Sequence, residues 1–299
     1  MNQSLACVAA APVLEAPTRL ECAMQAIMGS EEILPSPRII YGTAWKKADT
    51  ARLVAAALRQ GFRGIDTACQ PKHYDEAGVG AGIAAGGLTR AELYLQSKFT
   101  PLSGQDPTRI PYDPAAAAPE QVAQSFAASL GNLQTSYLDC LILHSPLASR
   151  LETLGVWRAM ESLLETGGVR SLGISNCYRL DDLEALCDSA RIKPRVVQNR
   201  FYAETGHDRE LRNYCREARI IYQSFWTLSA NPHLLAHPTI TSLAKTHART
   251  AAQILFRFLT QRGVVPLTGT RSEAHMREDL GIFEFELAER ELEAVDSLL

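Results

Sequence analysis

The sequence predicts an α/β fold of the (β/α)8 TIM-barrel class in a single domain. Three observations carry this. Eight short apolar runs alternate with longer stretches of helical periodicity from Arg38 onward. No shift in composition divides the chain. The length of 299 residues suits one α/β barrel, a class that commonly runs to about 250 residues. A doubly wound sheet is the rival arrangement, and the count of eight favours the barrel.

The runs, in order, are 38–42 (RIIYG), 62–66 (FRGID), 93–98 (LYLQSK), 137–144 (YLDCLILH), 168–175 (GVRSLGIS), 195–198 (RVVQ), 220–224 (IIYQS) and 263–266 (GVVP). Helical stretches between them include 48–59, 119–133, 152–165, 181–190 and 251–261, with acidic and basic residues marking the solvated faces. Gly78, Gly80 and Gly82 fall short of the dinucleotide fingerprint G-x-G-x-x-G, because position 83 is Ile and no strand precedes them. They read as a helix packed closely on the barrel. Residues 1–36 read as a partly ordered N-terminal extension, with the barrel expected over 37–299. The extension lacks a basic leader and is broken by Pro12 and Pro17, so it does not read as a signal peptide.

Composition narrows the function classes. A formal charge of -3 with both signs dispersed excludes the basic footprint of a nucleic-acid binder. No apolar run approaches the roughly 20 residues of a membrane span. Seven scattered cysteines without a C-x-x-C pair read as free thiols in a reducing, cytoplasmic setting. His233 and His237 are four apart, but Leu234 stands where a zinc-protease motif requires Glu, and no metal site is expected.

In a barrel of this class, chemistry sits on the loops after the strand ends. Asp66, Lys98 and His144 close the second, third and fourth runs, and Tyr74 follows the first of these in a loop. Taken singly, each has an ordinary reading: a helix cap, a solvated lysine, a satisfied core histidine, a packing tyrosine. Together they supply the parts of an acid catalyst for carbonyl reduction. A phenol has a pKa of about 10 and is a poor acid at neutral pH. A neighbouring ammonium is expected to lower that value, and a carboxylate to hold the ammonium in place. An imidazole N–H can orient a carbonyl and stabilise the developing oxyanion.

The segments GFRGIDTA (61–68), YDEAGVG (74–80), Ser97–Lys98, YLDCLILHSP (137–146) and GISN (173–176) resemble the aldo-keto reductase signatures, in that family's order. The likeness runs from about 38 to 298, and is closest in kind to the fungal-type members with a short C-terminus. It implies a catalytic tetrad of Asp66, Tyr74, Lys98 and His144. It also implies an extended nicotinamide cofactor lying across the barrel mouth, without a Rossmann domain. Ser175, Asn176 and Gln198 match the carboxamide-binding positions, with a helix-capping pair as the plainer reading of the first two. Phe225 matches the aromatic residue that stacks on the nicotinamide, where Tyr is frequent; Phe keeps the flat face. Gly269, Thr270 and Arg271 match the loop holding the adenosine phosphate, and Glu278 and Asp279 the adenine positions. Trp45 and Trp226 are candidates for the substrate wall.

The sequence departs from the family pattern in several places. Leu267 stands where a phosphate-binding Lys is common, and Asp279 where Asn is usual. These departures weaken a strict NADPH preference; NADPH is still the favoured cofactor, with NADH left open. The loop Thr67–His73 is a few residues longer than usual and must fold back to bring Tyr74 over Lys98. The long, proline-rich loop Thr100–Pro119 is expected to shape substrate access. The stop at Leu299, soon after the last helical stretch, suggests an open pocket for bulky or varied carbonyl compounds. The function expected is NAD(P)H-dependent reduction of an aldehyde or ketone by a monomer or weak homo-oligomer. The alternatives on the same fold are a cofactor-binding regulatory or sensor subunit and a non-redox lyase or isomerase.

Overall fold

A computed structural model describes residues 36–299. The N-terminal extension, and with it Cys7 and Cys22, lies outside the described residues. Eight parallel strands pair in sequence order and close on themselves: β1 (Ile40–Gly42), β2 (Gly64–Asp66), β3 (Tyr94–Phe99), β4 (Cys140–Leu143), β5 (Leu172–Ser175), β6 (Val196–Arg200), β7 (Ile221–Phe225) and β8 (Val264–Thr268). Closure is made by β1 on β8, with Ile40 opposite Leu267. Each strand falls on an apolar run of the sequence. The strands are buried on both faces, which is why they read as continuous apolar runs and not as alternating ones.

The principal helices of the ring are α1 (Thr50–Gln60), α2 (Glu76–Gly86), α3 (Ala118–Leu133), α4 (Arg150–Glu165), α5 (Leu180–Ser189), α6 (Arg209–Glu217), α7 (Pro232–Ala236), α8 (Pro238–Thr246), α9 (Ala251–Gln261), α10 (Glu273–Leu280) and α11 (Glu289–Asp296). Their starts carry local signals. Ser149 and Glu152 form a reciprocal capping box at α4, as do Thr250 and Gln253 at α9. The glycines of α2 permit close helix packing. A Cβ on Gly80 would lie 2.4 Å from the Asn132 carbonyl oxygen in α3, and one on Gly82 2.7 Å from the Ala51 carbonyl oxygen in α1. One continuous apolar layer between sheet and helices, including Trp157, Phe256 and Phe258, forms the main core.

Among the described residues no helix is long and apolar enough to cross a membrane. Cys69, Cys140, Cys177, Cys187 and Cys215 are buried free thiols. His237 spends its Nδ1 accepting from the Thr239 amide at the start of α8.

Candidate active site

The strand register gathers polar side chains at one end of the barrel. Asp66 lies opposite Gln96, and Gln198 lies between Ser175 and Gln223. Gln96 and Lys98 are two apart on β3 and so point to the same side, into the ring. Asp66 Oδ1 accepts from three donors: Lys98 Nζ at 2.5 Å, Gln96 Nε2 at 2.7 Å and Gln198 Nε2 at 3.0 Å. Gln96 and Gln223 exchange amide hydrogen bonds of 2.8 and 3.0 Å, and Gln198 Nε2 also donates to Gln223 Oε1 at 2.9 Å. Lys98, 1% exposed, adds a bond to the Thr67 carbonyl at 2.8 Å. Its ammonium is therefore paired and hydrogen-bonded, the condition under which a buried charge is tolerated.

Tyr74 reaches this centre. The loop 67–73 turns back through hydrogen bonds from the His73 and Tyr74 amides to the Gln70 carbonyl, both 3.1 Å. Lys98 Nζ lies 5.3 Å from the Tyr74 ring centroid, and the Tyr74 and His144 rings meet edge to face with centroids 6.0 Å apart. His144 follows β4 directly. Its Nδ1 pairs with Thr100 Oγ1 at 2.7 Å, and its carbonyl accepts from Asn176 Nδ2 at 2.8 Å. The lengthened loop thus brings the tyrosine to the lysine and the histidine.

Burial governs the acid–base character of the group. It pushes the Tyr74 phenol above its ordinary value, and the Asp66 charge adds to this. It pulls the Lys98 ammonium down, against the opposing pull of Asp66. His144 is driven down to about 3 by burial and by the Lys98 charge, so its imidazole is neutral at any ordinary pH. The expected lowering of the phenol is not realised. The Lys98 charge is directed to Asp66, and none of its hydrogen bonds goes to the phenol.

A cavity of about 870 Å3 opens over this centre and extends across the mouth to the loop after β8. Ser175, Asn176, Gln198 and Phe225 line one part of it, Trp45 and Trp226 the rim, and Gly269, Thr270, Arg271, Glu278 and Asp279 the far end. Ser175 Oγ donates to the Gln198 carbonyl at 2.6 Å, and Tyr178 Oη donates to Asn176 Oδ1 at 3.0 Å. The capping reading of Ser175 and Asn176 fails, since α5 begins after Arg179 without a side-chain cap. At the far end Arg271 donates to Asp49 at 2.9 Å and to the Trp45 carbonyl at 2.6 Å. Both partners of this ion pair are about half exposed, so it is weak and exchangeable. Asp279 accepts from Thr268 Oγ1 at 2.7 Å, and burial pushes its carboxyl up to about 6.

The loop Thr100–Pro119 does not behave as expected. Apart from Thr100 on His144, it contributes nothing to the cavity lining. It braces the tyrosine loop from behind: Gln105 Nε2 bonds the Cys69 carbonyl at 3.0 Å, and the Gly104 carbonyl accepts from Gln70 Nε2 at 2.7 Å.

Several residues of the site were not singled out from sequence. Gln96 and Gln223 were hidden inside apolar runs, where a polar residue pointing into a barrel was the available signal. Lys46, after β1, lines the cavity, donates to the Gly269 carbonyl, and is pulled down to about 8 by burial and by Arg271. His73 stacks on Trp45 with ring centroids 3.7 Å apart. Among the described residues no group of three or more His, Cys, Asp and Glu side chains is placed to hold a metal ion.

The sequence model of the Aldo/keto reductase family matches residues 38–299. The chain belongs to that family. A glyoxal reductase of Bacillus subtilis is 34% identical over 245 residues, covering 82% of each chain. An aldo-keto reductase of Mycobacterium sp. (strain JLS) is 34% identical over 250 residues, covering 84% of each. The crystal structure of an aldo/keto reductase from Brucella melitensis superposes with a TM-score of 0.76 at 31% identity, covering 88% of this chain and 95% of that one. The protein is thus an aldo/keto reductase-family oxidoreductase on a closed parallel barrel, and its polar cluster stands at the strand ends where this barrel class carries its chemistry.

Proposed function

We propose that this protein reduces an aldehyde or ketone to an alcohol with a reduced nicotinamide dinucleotide, and that Tyr74 delivers the proton. The observation carrying this reading is the meeting of Tyr74, Lys98, Asp66 and His144 at one end of a cavity long enough to reach Arg271. The lining suits such a dinucleotide. Phe225 offers a flat face, Gln198 Oε1 remains without a partner among the described residues, and Lys46 and Arg271 supply positive charge at the far end.

When bound, the nicotinamide supplies a hydride to the carbonyl carbon. The protein's own residues manage the oxygen. In the tautomer where Thr100 donates to His144 Nδ1, the neutral imidazole keeps an Nε2–H with which to hold the carbonyl oxygen. Tyr74 Oη donates the proton as negative charge builds on that oxygen. Lys98 has spent two of its three N–H groups on Asp66 and Thr67, so the third is free to steady the phenolate. Asp66 holds the ammonium in place throughout.

NADPH is the favoured donor, because the exposed Arg271–Asp49 pair can yield its guanidinium to a phosphate. Leu267 and Asp279 in place of Lys and Asn leave NADH as the second candidate. The buried free thiols support a reducing, cytoplasmic setting. The relative named glyoxal reductase makes glyoxal a natural first substrate.

The test follows NADPH and NADH oxidation with glyoxal and a panel of aldehydes and ketones, for the native protein and Tyr74→Phe. The variant should lose about 10²–10⁴-fold in turnover and bind cofactor with unchanged affinity. Wild-type turnover in Tyr74→Phe would reject the proton-donor role.

A further inference from the structure

Arg200 differs from the other cations of the cavity. Lys46 is hydrogen-bonded to the Gly269 carbonyl and Arg271 is paired with Asp49. The guanidinium of Arg200 makes neither a hydrogen bond nor an ion pair among the described residues, and its Nε is buried without a partner. A buried, unpaired charged donor is costly, and an arginine fork is shaped to take oxyanions in pairs of hydrogen bonds. Glu204 lines the adjoining cleft with it, and no ion pair joins the two among the described residues.

The guanidinium is also held in position. Its carbon lies 4.2 Å from the Trp226 ring centroid and 5.2 Å from that of Tyr202. Its backbone amide donates to Tyr178 Oη at 3.3 Å. Trp226 adopts a left-handed backbone, φ 56°, unfavourable for a bulky residue, and the residue is 48% exposed at the cavity rim. The platform thus stands in a strained conformation, with the unpaired cation upon it.

Register fixes where the cation stands. Arg200 is two residues beyond Gln198 on β6, and so on the same side of the strand, one layer nearer the rim. It pairs with Phe225 on β7. A nicotinamide ring on Phe225 would leave the rest of a dinucleotide to run outward over the rim towards Arg271, and its first anionic group is the bridging diphosphate.

We propose that Arg200, seated on Trp226, is a phosphate-binding group for the diphosphate bridge of the nicotinamide dinucleotide. The inference rests on the cofactor reading above. It adds a contact common to NADPH and NADH, distinct from any contact to the 2′-phosphate at Arg271.

The test measures dissociation constants of NADPH and NADH by nicotinamide fluorescence for the native protein, Arg200→Gln, Arg200→Met and Arg271→Gln, at low and raised salt. Arg200→Gln and Arg200→Met should weaken both nucleotides by a similar factor, about tenfold or more, and flatten the salt dependence. Arg271→Gln should weaken NADPH more than NADH. Either Arg200 variant that folds decides the matter, and Arg200→Met keeps much of the stem packed on Trp226. Dissociation constants within twofold of native for both nucleotides would overturn the proposal while leaving the cofactor reading intact. So would a loss confined to the KM of a carboxylated substrate such as glyoxylate, with glyoxal unaffected, which would assign Arg200 to the substrate. If the native protein binds neither nucleotide, both readings fall together.

Discussion

At the residue scale, the site is a set of charges made tolerable by hydrogen bonds. Asp66 is 3% exposed and Lys98 1%, and three donors converge on one carboxylate oxygen. Asp279 is the contrasting case. It is buried with one hydroxyl for a partner, and its carboxyl is raised to about 6 by burial. A carboxyl whose folded value is raised holds its proton more tightly in the folded chain. Its stabilising contribution is complete below about pH 4 and is lost as pH climbs through about 6. Asp279→Asn removes that loss. The stability of this variant relative to native should therefore rise by about 1.4 kcal/mol per pH unit from about pH 4 to about pH 6, and then level off. Urea unfolding of both proteins at pH 4, 5, 6 and 7 measures it, and a difference that stays flat across this range would contradict the assignment. The tetrad positions were legible in the sequence because each closes or follows an apolar run. Gln96, Gln223 and Arg200 were not legible, because their meaning depends on which residue lies opposite on the next strand.

At the element scale, all eight strands and the helical stretches fell where the apolar periodicity placed them, with ends shifting by a few residues. The glycines of α2 are the clearest case of sequence read as packing. They let α2 approach its neighbours at backbone distance. Gly80→Ala places a methyl group against the Asn132 carbonyl and should cost about 1–3 kcal/mol. A lowered denaturation midpoint checks this, and an unchanged midpoint would mean that α2 shifts freely. The loops were less legible. The length and prolines of Thr100–Pro119 suggested a loop that shapes substrate access, but loop composition does not say which way a loop folds. This one packs behind the tyrosine loop and orients it through Gln70 and Gln105.

At the scale of the whole molecule, the cavity draws its lining from the ends of every strand but β3 and from the loops after them. A ligand that bridges them is expected to stabilise the entire barrel. NADPH at about 100 times its dissociation constant should add about 2.7 kcal/mol to the unfolding free energy, a rise of several degrees in Tm. Thermal unfolding with and without NADPH reads this directly; an unmoved Tm at saturating NADPH would reject a native-state site spanning the mouth. The fold class was legible because strand and helix alternate from Arg38 onward. The substrate was not, because the pocket walls come from loops such as 67–73, whose shape is set by partners distant in sequence.

Ring closure carries a consequence for synthesis and folding. The last strand seals against the first, and Tyr41 Oη bonds the Thr270 carbonyl across 229 residues of chain. Contacts so distant in sequence repay their loop-closure entropy late, which slows the final step of folding. A nascent chain that has already made Asp66, Tyr74, Lys98 and His144 still lacks β8 and the Arg271 loop. It owns the polar groups of the site without the enclosure around them, so these groups acquire their pocket only once almost the whole chain is available to fold.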